Sequence, residues 1–461
     1  MSVSVSVDET TRTVAVTVSN ARGPIGATGA TGPQGPTGAT GAQGPTGATG
    51  ATGPAGSDAT VTAASTLTAL EAMDAGQQAD AREAIGAQYT GRIIVASETL
   101  TSNATLERNS VTFGTDQTAA AQAILDQAAS SPITVIWDVA ISCTGLRIRS
   151  NTAIKALPGC GAILRTASDK PLLSNYNPTA GTIVDENITI EGGIWNGNGA
   201  AANQSHDTVG EGWIVGIRMM GVRNLILKDL SIVRARTFAA HIANWERCSC
   251  TNIYCDGYDG TYNHDGLHFH GPGQFLYVAD LKAYVDDDAL ALTSSDLNSQ
   301  SDGSGPTYGP YATFGPITDV IVKGIHLDGG NSGVRLLSTT QLIDKVQISG
   351  ITGSANYQAV IIDNYSEGTW RVNPQGFGNI GSVTISDVDV ECLGTSYKQS
   401  LVWVDSAVRQ LRLENINRDK FTTSIPTLKI GANSVIQQLL VKGWQSVPST
   451  FANGSNTVNQ I

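Results

Sequence analysis

A five-residue pattern, apolar–any–apolar–any–(Gly, Asp or Asn), restricts the fold of this chain more than any other feature. It occurs at residues 188–192, 225–229, 253–257, 276–280, 320–324, 346–350, 383–387, 411–415 and 439–443. Steps of 23–28 residues dominate, and longer steps of 37 and 44 leave room for inserted loops. Each copy reads as a short strand with one face buried, stopped by a residue type that tolerates turn geometry. One such strand per step predicts a solenoid, here an all-β parallel β-helix. Cys255 falls on an inward position of the pattern, which places it in the core. Fifty-one glycines and a charged fraction of only 15% suit a glycine-turned β protein better than a helical one.

A second period lies upstream. Residues 23–58 carry glycine at every third position from Gly23 to Gly56, and Pro24, Pro33, Pro36, Pro45 and Pro54 follow it directly. Only glycine fits at the axis of three wound polyproline-II chains, so this register predicts a collagen triple helix and hence a homotrimer. A flexible linker has no reason to keep such a register. At roughly 3 Å per residue the segment spans about 100 Å and acts as a stalk. Before it, residues 1–22 alternate valines on either side of Asp8-Glu9-Thr10-Thr11, which predicts two strands and a turn. After it, residues 59–90 read as a short helical neck with Leu67, Leu70, Met73 and Ile85 as its apolar positions. The solenoid is expected over residues 91–445, with a C-terminal segment at 446–461.

Composition excludes several roles. A net charge of −12 disfavours nucleic acid and anionic membrane surfaces as partners. The start MSVSVSVDET lacks the basic and apolar regions of a secretory leader. No apolar run reaches the ~18 residues of a membrane span. The six cysteines (143, 160, 248, 250, 255 and 392) are scattered, and free buried thiols made in a reducing cytoplasm are expected. Cys248, Cys250 and Cys255 have no fourth ligand at zinc-site spacing.

Residues 116–128 have a helical pattern and precede the strand expected at 133–137. A helix there would cap the open end of the solenoid and block edge pairing. This stretch resembles the D-x-x-A-I-Q-x-A-I-D-x-A entrance of the pectate-lyase-like superfamily, which includes many bacteriophage tailspikes. The resemblance implies a right-handed β-helix, trimeric here and carried on the collagen stalk.

The chemistry is concentrated in two adjacent repeats. Asn263-His264-Asp265-Gly266-Leu267-His268-Phe269-His270 lies 23 residues before Asp286-Asp287-Asp288-Ala289-Leu290-Ala291-Leu292-Thr293. With Leu267 and Phe269 inward over Leu290 and Leu292, Asp265 stacks on Asp288 and His264 on Asp287, about 4.8 Å apart. Residues 256–296 hold eight Asp, no Arg and one Lys, Lys282. His268 and His270 alternate with the core residues and are expected to face solvent. Carboxylates this close cannot all ionise easily, so one of them should keep its proton. A protonated carboxyl beside ionised ones is what glycoside hydrolysis requires. Other readings stay open: stacked Asp residues capping turns, a Ca²⁺ site at Asp286, Asp287 and Asp288, or a transition-metal site at His264, His268 and His270. Trp195, Tyr258 and Tyr262 could stack on sugar rings or pack internally.

The same residues resemble the polygalacturonase family of glycoside hydrolases. Asn263-His-Asp265-Gly266 and Asp287-Asp288-Ala-Leu-Ala are similar to its N-T-D-G and D-D-C-I-A motifs, and Gly333-Val-Arg335-Leu-Leu337 to its G-x-R-I-K motif. The resemblance implies an inverting mechanism with Asp288 nearest the general acid, Asp265 and Asp287 activating water, and Arg335 binding substrate. The family's G-H-G histidine has no counterpart between Asp296 and Arg335, and His264 or His268 would take its place at the substrate. Leu337 stands where the family's galacturonate-binding Lys belongs, so pectin is not the expected substrate. These readings together predict a bacteriophage receptor-binding fibre or tailspike, assembled in the host cytoplasm and resident in the virion. Residues 1–22 would attach to a tail or capsid protein, and the solenoid would bind and hydrolyse a bacterial surface polysaccharide. A non-catalytic adhesin and a polysaccharide lyase are the alternatives.

Overall fold

The computed structural model describes residues 2–8, 13–19 and 91–451, the last with breaks at 108–109, 167, 200–214, 258–263, 297–310, 365–377, 394–399, 419–426, 432–433 and 444–449. The expected stalk, neck and most of the expected C-terminal segment lie outside the described residues, as do Tyr258 and Tyr262. The chain divides into two units, Met1–Thr90 and Gly91–Ile461. In the first, strands Ser2–Asp8 and Thr13–Ser19 pair antiparallel, with Val3, Val5 and Val7 opposite Val18, Val16 and Val14. Valine alternation of this kind suits a pleated ribbon.

Among its described residues the second unit is all-β apart from a few short helical turns, and its main sheet is parallel. One register runs through it coil by coil: Ile188, Leu225, Cys248, Leu276, Val320, Val346, Val383, Leu411 and Leu439 each lie directly beside the next. Stacking every copy of a repeat on the following copy is the pattern of a parallel β-helix. The inward residues form one continuous core, with Trp137 and Trp195 packed near one end, their ring centroids 6.0 Å apart.

One sequence assignment is corrected by this register. The segment at the level of 225–229 and 276–280 is 248–252, not 253–257, because Cys248 pairs with both Leu225 and Leu276. Ile253 belongs to the next stretch of the same coil, beside Leu230 and Leu281. Apolar alternation resumes immediately after Asn252, so two consecutive stretches carry the same pattern. Cys255 is buried either way.

The residue that stops each copy has a common conformation. Gly192, Asp229, Asn252, Asp280, Gly324, Gly350, Asp387, Asn415 and Gly443 all have φ between 51° and 78°. This left-handed region admits glycine freely and Asn or Asp by local hydrogen bonding, which is why the pattern is confined to those three types. The amides also tie coil to coil: Asn252 Nδ2 donates to Asp229 Oδ1 at 2.7 Å, and Asn415 Nδ2 to Asp387 Oδ1 at 3.0 Å.

At the start of the solenoid the helix Thr118–Leu125 buries Ala121, Ile124 and Leu125. Gln122 projects from it onto the strand Leu146–Ile148, donating from Nε2 to the Arg147 carbonyl (2.9 Å) and accepting from the Arg147 N–H (2.8 Å). One side-chain amide thus satisfies the edge of a strand that would otherwise recruit another chain. All six cysteines are free, five of them buried and Cys160 half-buried. Burial pushes the Cys143 and Cys250 thiols up to about 12, so they are inert core residues. Among the described residues no helix is long and apolar enough to cross a membrane.

Candidate active site

Four successive strand segments build the site: the first turn of the long strand Asp265–Tyr284, then Asp288–Ser295, Ser332–Ser338 and Gln358–Asp363. Leu267, Leu290, Val334 and Val360 form one inward column, and Phe269, Leu292, Leu336 and Ile362 the next. This register sets Asp265 beside Asp288, whose backbone N–H donates to Asp265 Oδ1 at 3.3 Å. Asp287, in the turn before Asp288, completes a trio: Asp265, Asp287 and Asp288 each offer an oxygen within 4.8 Å of the others. Asp265 and Asp288 are buried, and Asp287 is the most open of the three.

Asp286 does not join them. It accepts from the backbone N–H of His264 (2.7 Å) and lies 3.0 Å from that ring's Nδ1. The expected cation trio of Asp286, Asp287 and Asp288 is therefore not assembled, and Asp265 takes the place of Asp286. His264 sits at the level of Asp287, whose N–H donates to the His264 carbonyl (3.1 Å), but its ring is buried against Asp286.

The expectation that His268 and His270 face solvent is overturned, since they are 5% and 0% exposed. They do lie on the outer side of their strand, but residues 311–316 cross over that face. Phe314 packs edge-on against His270 at 5.5 Å, Thr313 Oγ1 donates to the Gly271 carbonyl, and the Gly315 N–H donates to the Ser294 carbonyl. Phe238 covers His268 at 4.4 Å. Under this cover His268 Nδ1 bonds Asp265 Oδ2 at 2.5 Å and Nε2 bonds Thr293 Oγ1 at 3.0 Å. His270 stacks on His268 and shares a 2.8 Å hydrogen bond from Nδ1 with His241 Nε2. The structure thus groups His268 and His270 with His241 instead of His264. His241 could have been found one coil upstream, where it pairs with His268 in the register. Among the described residues the ligand atoms that converge as a metal would need are those of the Asp trio, not those of the histidines.

Arg335 reaches the trio from the adjacent coil, with Nη1 3.8 Å from Asp288 Oδ2. Its other edge is held by Asp363, which accepts from Nε at 3.1 Å and from Nη2 at 2.9 Å. This two-point clamp fixes the guanidinium plane. Asp363 is fully buried, and nothing in its local sequence marked it. Leu337 is buried at the position between Thr293 and Asp363 in the register. Trp195 is also internal, its Nε1 donating to the Gly192 carbonyl, so it offers no ring to a sugar.

Burial sets the electrostatics. It raises Asp265 and Asp288 well above the ordinary carboxylate range, and the neighbouring Asp287 raises both further. Asp287 is also raised by burial, with Arg335 acting against the rise. Burial, with Arg335 second, pushes His268 down to about 3. Burial thus disfavours the charged form on both sides of the Asp265–His268 contact. The trio titrates as a unit and keeps protons into a pH range where isolated aspartates have lost theirs. Such a set can donate a proton, accept one from water, or bind a cation.

No protein-family model matches the chain. No curated protein matches it. Among solved structures it is similar to a family 28 exopolygalacturonase of Yersinia enterocolitica, at 13% identity over 80% of this chain and 78% of that one, with a TM-score of 0.49. It is similar to an endo-xylogalacturonan hydrolase of Aspergillus tubingensis at 13% identity, covering 79% and 95% of the two chains, with a TM-score of 0.48. A tailspike protein of an E. coli bacteriophage matches at 11% identity over 79% of this chain and 78% of that one, with a TM-score of 0.39.

Proposed function

We propose that the chain is a bacteriophage receptor-binding fibre or tailspike whose β-helix binds and hydrolyses a bacterial surface polysaccharide. The observation that carries the hydrolytic reading is the convergence of Asp265, Asp287 and Asp288 within 4.8 Å, with Arg335 beside them. Asp288, whose proton burial helps to retain, is the proton donor to the departing sugar oxygen. Asp287, the most open carboxylate, takes a proton from the attacking water. Asp265 bonds His268 and fixes the Asp288 backbone by accepting its N–H. Asp287 is the most open of the three, so the attacking water is placed on its side. Inverting enzymes commonly separate acid and base by about 6.5–9.5 Å to admit that water. The configuration of the first-formed reducing sugar, read by NMR, tests the inversion implied by the resemblance.

The fibre reading rests on the glycine register of residues 23–58, which calls for three chains, and on the valine ribbon that precedes it. A right-handed coil is expected because parallel crossovers are right-handed in nearly all proteins. The acidic trio suits a neutral or weakly charged glycan better than a polyanionic one.

The test is incubation of the purified protein with host surface polysaccharide, following chain length, new reducing ends and unsaturated-uronate absorbance, with and without a chelator. Shortening with reducing ends and no absorbance, lost in Asp288→Asn, supports the hydrolase. Absorbance together with a cation requirement identifies a lyase and makes the trio a cation site. Tight binding without shortening makes the protein an adhesin.

A further inference from the structure

A stripe of uncharged residues runs along the outside of the solenoid, on the sheet formed by the middle of each coil. Ile226, Ser249, Tyr277, Ile321, Gln347 and Thr384 occupy one outward column through six consecutive coils. Ile226, Tyr277 and Ile321 are among the most exposed large apolar side chains of the described residues, and Phe275 beside them is 46% exposed. Phe275, Tyr277 and Ile321 line a cleft of about 570 Å³ closed by Asp319, Lys345 and Gln347.

The columns on either side are different. Two residues before the stripe stand Arg247, Asp319 and Lys345, the last two ion-paired at 3.2 Å. Two residues after it stand Lys228, bridging to Glu191 at 3.5 Å, and Lys323. An uncharged centre, apolar at Ile226, Tyr277 and Ile321, with charges only on its flanks matches the anatomy of a protein–protein contact.

Phe275 strengthens the point. Its φ of 63° places it in the left-handed region, at a level where the neighbouring coils use Asn187, Asn224, Arg247, Asp319 and Lys345 in the same conformation. A bulky ring is the least suited of these to that backbone, and here nearly half of it stays exposed. A locally unfavourable, exposed aromatic points to a contact outside the chain.

We infer that this stripe is where three copies of the chain meet. The inference rests on the homotrimer reading, because the glycine register is what requires two further copies. A stripe one residue wide that runs along the stacking direction matches a threefold axis running along it. Each coil would then present the same residue three times at one level, an arrangement that excludes charge because like charges would face each other. The column meets that condition over these six coils and ceases to at the next, where Arg412 lies beside Thr384, so the contact is confined to the six. Tyr277 and Ile321 fill the space nearest the axis, Phe275 flanks them from the neighbouring column, and the ion pairs of that column stay at the wet periphery.

The test uses the full chain with Tyr277→Cys, and separately Ser249→Cys, labelled with a maleimide under native conditions. Val184→Cys, exposed and off this stripe, is the control. The expected result is a trimeric mass by light scattering and labelling of both stripe cysteines about tenfold or more slower than the control, as burial at an interface core requires. The protection should vanish when the chains are dissociated by dilution. A trimeric mass with stripe labelling as fast as the control overturns the inference while leaving the trimer intact. A single-chain mass overturns the trimer and the inference with it. Protection that appears only on adding host polysaccharide also overturns it, since the stripe would then be a glycan site. As a second measure, Tyr277→Lys with Ile321→Lys should lower the dissociation temperature of the trimer, and no change would contradict the inference.

Discussion

The two ends of the strand Asp265–Tyr284 follow the same alternation and reach opposite outcomes. Near its start Leu267 and Phe269 point into the core while His268 and His270 point outward, and all four are buried. Past Gly271 and Pro272, Leu276 and Val278 point inward, while Phe275 and Tyr277 point outward and are exposed. Polar imidazoles are covered and apolar rings are bare, the reverse of what side-chain polarity alone would select. The difference lies outside the strand: residues 311–316 lie across the first half, and no described residue of the same chain covers the second. Alternation fixes which side a residue takes, and the rest of the molecule decides whether that side is wet.

The largest effect should come from the covered half. Asp288→Asn is expected to reduce glycan cleavage by about 10²–10⁴-fold, the usual contribution of a positioned general acid, while the fold persists. Reducing-end release by variant and wild type measures it, and comparable rates would remove the trio from the chemistry.

Next, Phe269→Ala should destabilise the solenoid by about 3–5 kcal/mol, because a fully buried ring leaves a cavity. Tyr277→Ser, a few residues along the same strand, should change single-chain stability by less than about 0.5 kcal/mol. Denaturant midpoints of the two variants test the contrast directly, and equal losses would abolish it.

The pH dependence separates the halves further. Burial lowers His241, His268 and His270 below the ordinary 6.5, His268 to about 3. The unfolded chain therefore binds more protons than the folded one between those limits. Stability is complete above pH 6.5 and is lost as the pH falls towards 3, by on the order of a few kcal/mol. The raised carboxyls act in the opposite sense: their folded form is favoured at low pH, and they withdraw stability as the pH rises above the ordinary 3.8. The two sets oppose each other between pH 7 and pH 5, so the test is a difference: as the pH falls over that range, the unfolding midpoint of His268→Gln should drop less, or rise more, than that of the wild type. A slope unchanged by that substitution would show that the buried imidazole is not its source.

The smallest effect belongs to the bare half. Phe275→Asn should stabilise an isolated chain by a few tenths of a kcal/mol, since Asn accepts the left-handed conformation more readily than Phe. A loss of stability would mean that the ring is supported within its own chain.

The main lines of the site were legible because repeat arithmetic is local. The 23-residue offset between Leu267 and Leu290 sets Asp265 next to Asp288 without knowledge of any loop. The same arithmetic failed at 253–257, where two consecutive stretches of one coil share a pattern and only strand pairing tells them apart. It could not choose Asp265 over Asp286 for the trio, because a turn residue's side chain goes where partners exist, and Asp286 found His264. Asp363 was invisible for the same reason: its role is to clamp Arg335 from the next coil.

By itself, then, the sequence determined the parallel stacking of the coils, the left-handed stop at each repeat and the level at which each carboxyl sits. These follow from short-range rules, period-two alternation and the few residue types that admit positive φ. Only the tertiary structure decided that His268 and His270 are buried, that His241 joins them, that Asp363 orients Arg335 and that Phe275 and Tyr277 stand bare. Each of those depends on a chain segment distant in sequence, and exposure to water is a property of the assembled surface that no local pattern encodes.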